Sequence, residues 1–172
     1  APIASIQQSA AEHGLTCVGL ARADWNAYER SWDFQSLPIL TASSEPAPTL
    51  ESSYTAWITQ NRDTIAEMKR LEEENNRLFI DAYGLADELT PEVPLPQITL
   101  TVNPAYRYGG KLTKEEQWTR FRQDTMEELV YYEEMAHANA PYVPINFVAT
   151  RHGGPTLIAE GSEAQKVAHL AP

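Results

Sequence analysis

The chain has 172 residues, 42% of them hydrophobic and 22% charged, which suits one ordinary globular domain or two small lobes and excludes disorder throughout. Its formal net charge of -11 works against phosphate-backbone binding as a main activity, since that binding runs on Lys and Arg displacing counterions. Solubility is the plain reading of the acid excess, and a decoy that imitates the charge of DNA is the sharper one.

No stretch approaches the ~20 apolar residues that a bilayer-crossing helix needs, so no membrane partner is expected. No charged segment followed by an apolar one opens the chain, so no secretory signal is expected either. The leading Ala1 reads as the product of initiator Met removal or as the start of a piece of a longer chain. Cys17 is the single cysteine, too few for an internal disulfide or a zinc cluster, and a cytoplasmic location is the simplest reading.

Residues 1–40 form an expected N-terminal helical lobe. Ala1 to Leu20 is rich in Ala, Ile and Leu, with a break plausible at Gly14 or Gly19, each costing an exposed helix ~1 kcal/mol relative to Ala. Asp24 to Phe34 is dense in aromatics. Trp25, Tyr28 and Trp32 share a helical stripe that Phe34 does not, as if a helix end folded onto a partner. Residues 41–49 read as a linker, because Pro46 and Pro48 block regular structure.

Residues 50–140 carry two long helices. The first runs from about Leu50 to Tyr83, with Thr49 as N-cap, Glu51 favourable to the dipole and Gly84 as the left-handed stop. Its apolar stripe is Trp57, Ile58, Ile65, Met68, Leu71, Leu78, Phe79 and Ala82, with Asn61 and Asn75 beside it. At 1.5 Å per residue the helix is ~50 Å long, which suits a helical hairpin, a coiled coil or a connector between larger bodies. A Pro-rich loop at 86–96 follows. Gln97 to Val102 alternates polar and apolar residues and predicts a short strand. Thr113 then opens the second helix with a capping box to Glu116 and a stripe of Trp118, Phe121, Met126, Leu129 and Tyr132, running to about Asn139. Residues 141–172 form an irregular tail: a possible strand at 143–150, a turn at 151–155 and a helical turn at 164–170. The fold class is mainly α, with two long helices as a hairpin or connector, an aromatic-rich N-terminal lobe and a small β element.

One short motif invites chemistry. Asn103-Pro104-Ala105-Tyr106 follows the predicted strand and resembles the Asn-Pro-Pro-Tyr with which amino-methylating DNA methyltransferases hold a target base. An Asn carbonyl would accept from the exocyclic amine and an aromatic ring would stack on the flipped base. Against this, Ala105 replaces the second proline, no glycine-rich turn after a strand is present to hold a cofactor, and the chain is short for a methyltransferase sheet. The plain reading is a turn shaped by Asn103 and Pro104, which leaves no catalytic, cofactor-binding or metal residue assigned.

His13, His137, His152 and His169 are scattered without metal-ligand spacing. Cys17 reads as a small buried apolar residue. Ser5, Ser9, Ser36, Ser43 and Ser44 lack a nucleophile-elbow context. Arg62, Lys69, Arg70 and Arg77 form a possible basic edge on the long helix. Interleaved Glu67, Glu72, Glu73 and Glu74 cancel most of its field through pairs such as Glu73–Arg77 and Glu74–Arg77.

Longer strings carry a more specific likeness. WNAYERSWDFQSLPIL at 25–40, RLEEENNRLFIDAYGL at 70–85, ELTPEV at 88–93, ITLTVNPAYRYG at 98–109 and TRFRQDTMEELV at 119–130 resemble the large adenine-specific DNA methyltransferase of BREX phage-defence systems (PglX). The resemblance covers roughly residues 15–130, and past Val130 the tail departs from the family. It implies the helical segment between the methyltransferase and target-recognition domains, with the S-adenosylmethionine site and the family's own catalytic motif upstream. On that basis the chain is a non-catalytic connector without cofactor of its own. Its partners are other segments or subunits of the parent enzyme, and it meets DNA only through them. A stand-alone interaction protein or inhibitor docking onto the intact enzyme, and a decayed gene remnant, are the alternatives.

Overall fold

A computed structural model describes residues 3–28, 31–138 and 162–165. The described chain is mainly helical: α1 (Ile3–Asn26), α2 (Leu50–Tyr83), the short α3 (Pro104–Tyr108) and α4 (Lys114–His137), with 3-10 turns at Pro38–Leu40 and Leu95–Gln97. Two compact units divide it, Ala1–Gln123 and Asp124–Pro172. The readings of 143–150 and 151–155 lie outside the described residues, as does most of 164–170. Glu163 to Gln165 is helical, and Ser162 and Gln165 cap each other at its start.

α2 begins and ends where its sequence says. The Thr49 hydroxyl accepts from the Ser52 amide at 3.1 Å, and the Ser52 hydroxyl accepts from the Thr49 amide at 3.0 Å. Gly84 takes φ 66° and ψ 35°, a left-handed geometry costly for a residue with a Cβ. The Leu85 amide donates to the Ile80 carbonyl at 3.0 Å, closing the last turn. Trp57, Ile58, Ile65, Met68 and Leu71 of the expected stripe are buried. The last turns differ from expectation: Ile80 is buried instead, while Phe79 and Ala82 are exposed and Leu78 is half-buried.

α1 lies along α2. His13 reaches Glu74, and Cys17 feels the charges of Glu72 and Glu67, so the two helices run in opposite directions. Its more buried positions include Ile6, Ala10, His13, Cys17, Leu20 and Asp24, a repeat of four and three that makes one inward stripe, with Ser9 and Asn26 beside it. α1 is continuous through Gly14 and Gly19, contrary to the expected break. Both glycines lie on the outer face, where an added Cβ would meet nothing within 4 Å. Packing against α2 holds the backbone where propensity alone would release it. α1 ends at Asn26, so Trp32 leaves the helical stripe predicted for it and stands 96% exposed.

The predicted small β element is a correction. No strand occurs among the described residues. The alternation at Gln97–Val102 is nevertheless real, since Ile98, Leu100 and Val102 are all buried. A strand also needs a neighbour for its backbone groups, and here they are satisfied otherwise. The Ile98, Leu100 and Asn103 amides donate to the Leu95, Ile98 and Leu100 carbonyls at 2.9–3.1 Å, folding the segment into successive turns.

α4 opens with the predicted box: the Thr113 amide donates to the Glu116 carboxylate at 2.7 Å, and the Thr113 hydroxyl accepts from the Glu116 amide at 3.3 Å. Within the first unit, Phe121 is fully buried and stacks on Trp57 of α2, with ring centroids 5.4 Å apart. Trp118 meets Phe121 edge-on at 5.7 Å.

Candidate functional site

The motif that invited a catalytic reading sits where α1 meets the turn before α3. Asp24 is 9% exposed, at the inward end of α1. Its two carboxylate oxygens accept from the Thr101 amide at 2.7 Å and the Val102 amide at 3.0 Å. A charge-assisted acceptor thus replaces the ladder partner that a strand would have had.

Asn103 follows, 2% exposed. Its amide nitrogen donates to the Leu95 carbonyl at 2.7 Å and the Ile98 carbonyl at 2.8 Å, and its side-chain oxygen accepts from the Ala105 amide at 3.1 Å. Asn103 therefore caps α3 and also draws the 95–98 turn against it. Pro104 at the first helical position is buried; its fixed φ suits a helix start and its missing N–H costs nothing there. Tyr106 is half-exposed on α3, and the Arg107 guanidinium lies 5.4 Å from the Tyr108 ring. The structure brings Asn103 and Pro104 together inside the fold and sets Tyr106 on its surface.

A second cluster pairs cations with aromatic rings where α2 and the opening turns of α4 meet. The Arg62 guanidinium lies 4.8 Å from the Trp118 ring and Arg122 lies 5.1 Å from Tyr54, at distances where a cation is drawn to a ring face. Arg122 also pairs with Glu51 at 2.5 Å. Burial pushes the Tyr54 hydroxyl above its ordinary range, with the Arg122 and Arg62 charges opposing.

Several of the remaining charges of α2 form pairs, but not those expected. Glu73 pairs backward with Lys69 and accepts from the Val93 amide at 3.0 Å, and Glu74 pairs with Arg70 at 2.7 Å and with His13 at 3.6 Å. The predicted forward pairs to Arg77 are thus replaced. Glu73 is drawn to the loop at Val93, and Glu74 lies against α1. The Lys69 ammonium and the Val93 amide hold the Glu73 carboxyl below the usual carboxylate range, with Arg77 adding a smaller pull. Arg70 also makes a two-pronged contact to Glu67, which lowers that carboxyl.

Cys17 is half-buried on the inner face of α1, and burial followed by the Glu72 carboxylate pushes its thiol up. Among the described residues no three of His, Cys, Asp and Glu converge as metal ligands. No helix among them is long and apolar enough to cross a membrane.

Sequence reasoning missed Asp24, the side chain that ties α1 to the turn 77 residues further on. The four-and-three repeat of α1 carried the signal, because an acid at an inward position needs N–H partners.

No family model matches the chain, and no solved structure matches it. It is similar to the adenine-specific methyltransferase PglX of Lacticaseibacillus casei (strain Zhang), 42% identical over 77 residues, which are 44% of this chain and 6% of that protein. It is also similar to the adenine-specific methyltransferase BrxX of Escherichia coli O9:H4 (strain HS), 29% identical over 115 residues, 67% of this chain and 9% of that protein. The likeness first read from the strings between residues 15 and 130 is thus a likeness to the BREX adenine-specific methyltransferases, over a stretch that is less than a tenth of either relative.

Proposed function

We propose that the chain is a non-catalytic helical connector, corresponding to the segment between the methyltransferase and target-recognition domains of a BREX-type adenine-specific DNA methyltransferase. S-adenosylmethionine and the target adenine are handled elsewhere in that larger protein, and DNA is met only through it. The long helix α2, with α1 along it, forms the rigid body of a hairpin-like spacer.

The observation that carries this reading is the use made of Asn103. A base-holding Asn must offer its carbonyl to an incoming amine. In this chain the Asn103 side chain makes three hydrogen bonds inside the fold and is 2% exposed. S-adenosylmethionine also fits the described residues poorly. Among the described residues the positive-φ glycines are Gly84 and Gly110, at the end of α2 and shortly before α4, and neither follows a strand.

The test is direct. Calorimetric titration of the purified chain with S-adenosylmethionine should show no heat of binding, and incubation with DNA should transfer no labelled methyl group to adenine. A saturable cofactor isotherm or methylated adenine would overturn the proposal.

A second reading, a stand-alone interaction protein that docks onto the intact enzyme, is favoured by the exposed face of α1, where Leu15 is 73% and Val18 65% exposed and Trp25 lies on the same stripe. Pull-down against the full-length methyltransferase separates the two, since the connector reading requires no such association.

A further inference from the structure

The sequence stripe of α2 outruns the core that covers it. Over the last two turns of α2 and the loop that follows, Phe79, Ile80, Tyr83, Leu85 and Leu89 line a surface groove of about 320 Å³, with Asn76 at one edge. That volume lies at the lower end of the range for ligand clefts, about 300–1,000 Å³. Its floor is Ile80, 9% exposed, and its walls stand open to solvent: Tyr83 is 73% and Leu89 52% exposed. The groove lies wholly within the first unit.

The loop that walls the groove carries one sign of charge. Asp87 and Glu88 stand between the lining residues Leu85 and Leu89, and Glu92 stands two residues past Thr90; all three are exposed, and none is in an ion pair among the described residues. Residues 84–92 hold no Lys or Arg. The end of α2 adds to the same field. A helix C-terminus carries partial negative charge that Lys or Arg normally offsets, and the last turn of α2 holds no basic residue. An apolar groove with aromatic walls, an uncompensated helix C-terminus and three unpaired carboxylates on the lining loop make one surface that is apolar at its centre and negative along one side.

We propose that this groove is a docking site for a basic amphipathic segment of a partner polypeptide. The segment sets one or two large apolar side chains against Phe79, Tyr83 and Leu89, and its Lys or Arg residues meet the loop carboxylates. Charge complementarity selects this occupant. A second copy of the chain would bring another net charge of -11 against the same loop. The surface belongs to the chain whatever larger protein it serves, so it does not depend on the connector reading.

The test titrates the full chain, labelled with nitrogen-15, with three synthetic peptides. One is an amphipathic Leu/Lys helix, one its Leu/Glu counterpart, and one a Lys/Gly peptide without apolar residues. The Leu/Lys peptide should bind, with amide shifts concentrated over residues 76–92, and added salt should weaken it. The other two should bind at least about tenfold more weakly, since each lacks one half of the complementarity. Tyr83→Ser and Leu89→Ser should each weaken the Leu/Lys peptide by about tenfold, as truncation of an aromatic or aliphatic anchor does. Trp32→Ser, outside the groove, should leave it unchanged. Circular dichroism of each variant establishes that the helices persist.

Absence of Leu/Lys binding would overturn the proposal. So would equal binding of the Leu/Glu peptide, shifts centred on Leu15, Val18 and Trp25, or self-association of the chain through this face.

Discussion

Asp24→Ala is the most informative single change, because one side chain closes a contact across 77 residues of sequence. Two amides depend on it, at 2.7 and 3.0 Å. A hydrogen bond to a charged group contributes about 1.5–3 kcal/mol, and a buried group left without a partner costs about 1–3 kcal/mol. The two amides are not equivalent. Thr101 is half-buried, so water replaces much of what its amide loses, whereas Val102 is 4% exposed and its amide is stranded. The expected loss is therefore about 3 kcal/mol, a large share of the roughly 5–15 kcal/mol that holds an ordinary domain together. Asp24→Asn keeps one acceptor and turns an N–H toward the other amide, so about half of the loss should remain.

Urea unfolding followed by circular dichroism measures the total, and hydrogen exchange at the Thr101 and Val102 amides reads the contact itself. Exchange at both should accelerate in Asp24→Ala while amides in the middle of α2 change less. A loss under about 0.5 kcal/mol, the level of an ordinary surface substitution, or unchanged exchange at Val102, would refute the reasoning.

Three further outcomes follow from the packing and the charges. Phe121→Ala removes a fully buried ring stacked on Trp57 and should cost about 3–5 kcal/mol, with altered tryptophan fluorescence, whereas Phe121→Leu should cost markedly less. Two glutamates should respond to pH with opposite sign. The Thr113 amide and hydroxyl lower the Glu116 carboxyl, so its contribution is full above the ordinary Glu value and is lost as pH falls through the lowered one. Burial raises the Glu72 carboxyl, so its contribution is full below the ordinary value and is lost as pH rises through the raised one. Thermal melts should accordingly show Glu72→Gln stabilising near neutrality and not in acid, and Glu116→Gln destabilising near neutrality and not in acid. Finally, Cys17 should react with iodoacetamide more slowly in the folded chain than in urea at mildly alkaline pH, because burial and then Glu72 raise its thiol; equal rates would contradict that placement.

The helix ends and most of the inner stripe were legible from the residues alone. Thr49, Gly84 and the Thr113–Glu116 box act on backbone groups within a few residues, so their geometry is local and legible. Trp57, Ile58, Ile65, Met68 and Leu71 recur at the helical period, and period alone puts them on one face. The family likeness was also legible, because long strings carry it.

Tertiary structure decided the rest. Whether the alternation at Gln97–Val102 becomes a strand depends on what its amides meet: those of Thr101 and Val102 meet Asp24 from a distant helix, and those of Ile98 and Leu100 close local turns. Whether Asn103 holds a ligand or a fold depends on the Leu95 and Ile98 carbonyls being brought to its amide. Whether the stripe of α2 is core to its end depends on a neighbour: α1 packs along α2 and Phe121 of α4 stacks on Trp57, while Phe79 and Tyr83 are left open beside an acidic loop. Periodicity fixes which residues share a face, but what covers that face is settled only by segments distant in the chain.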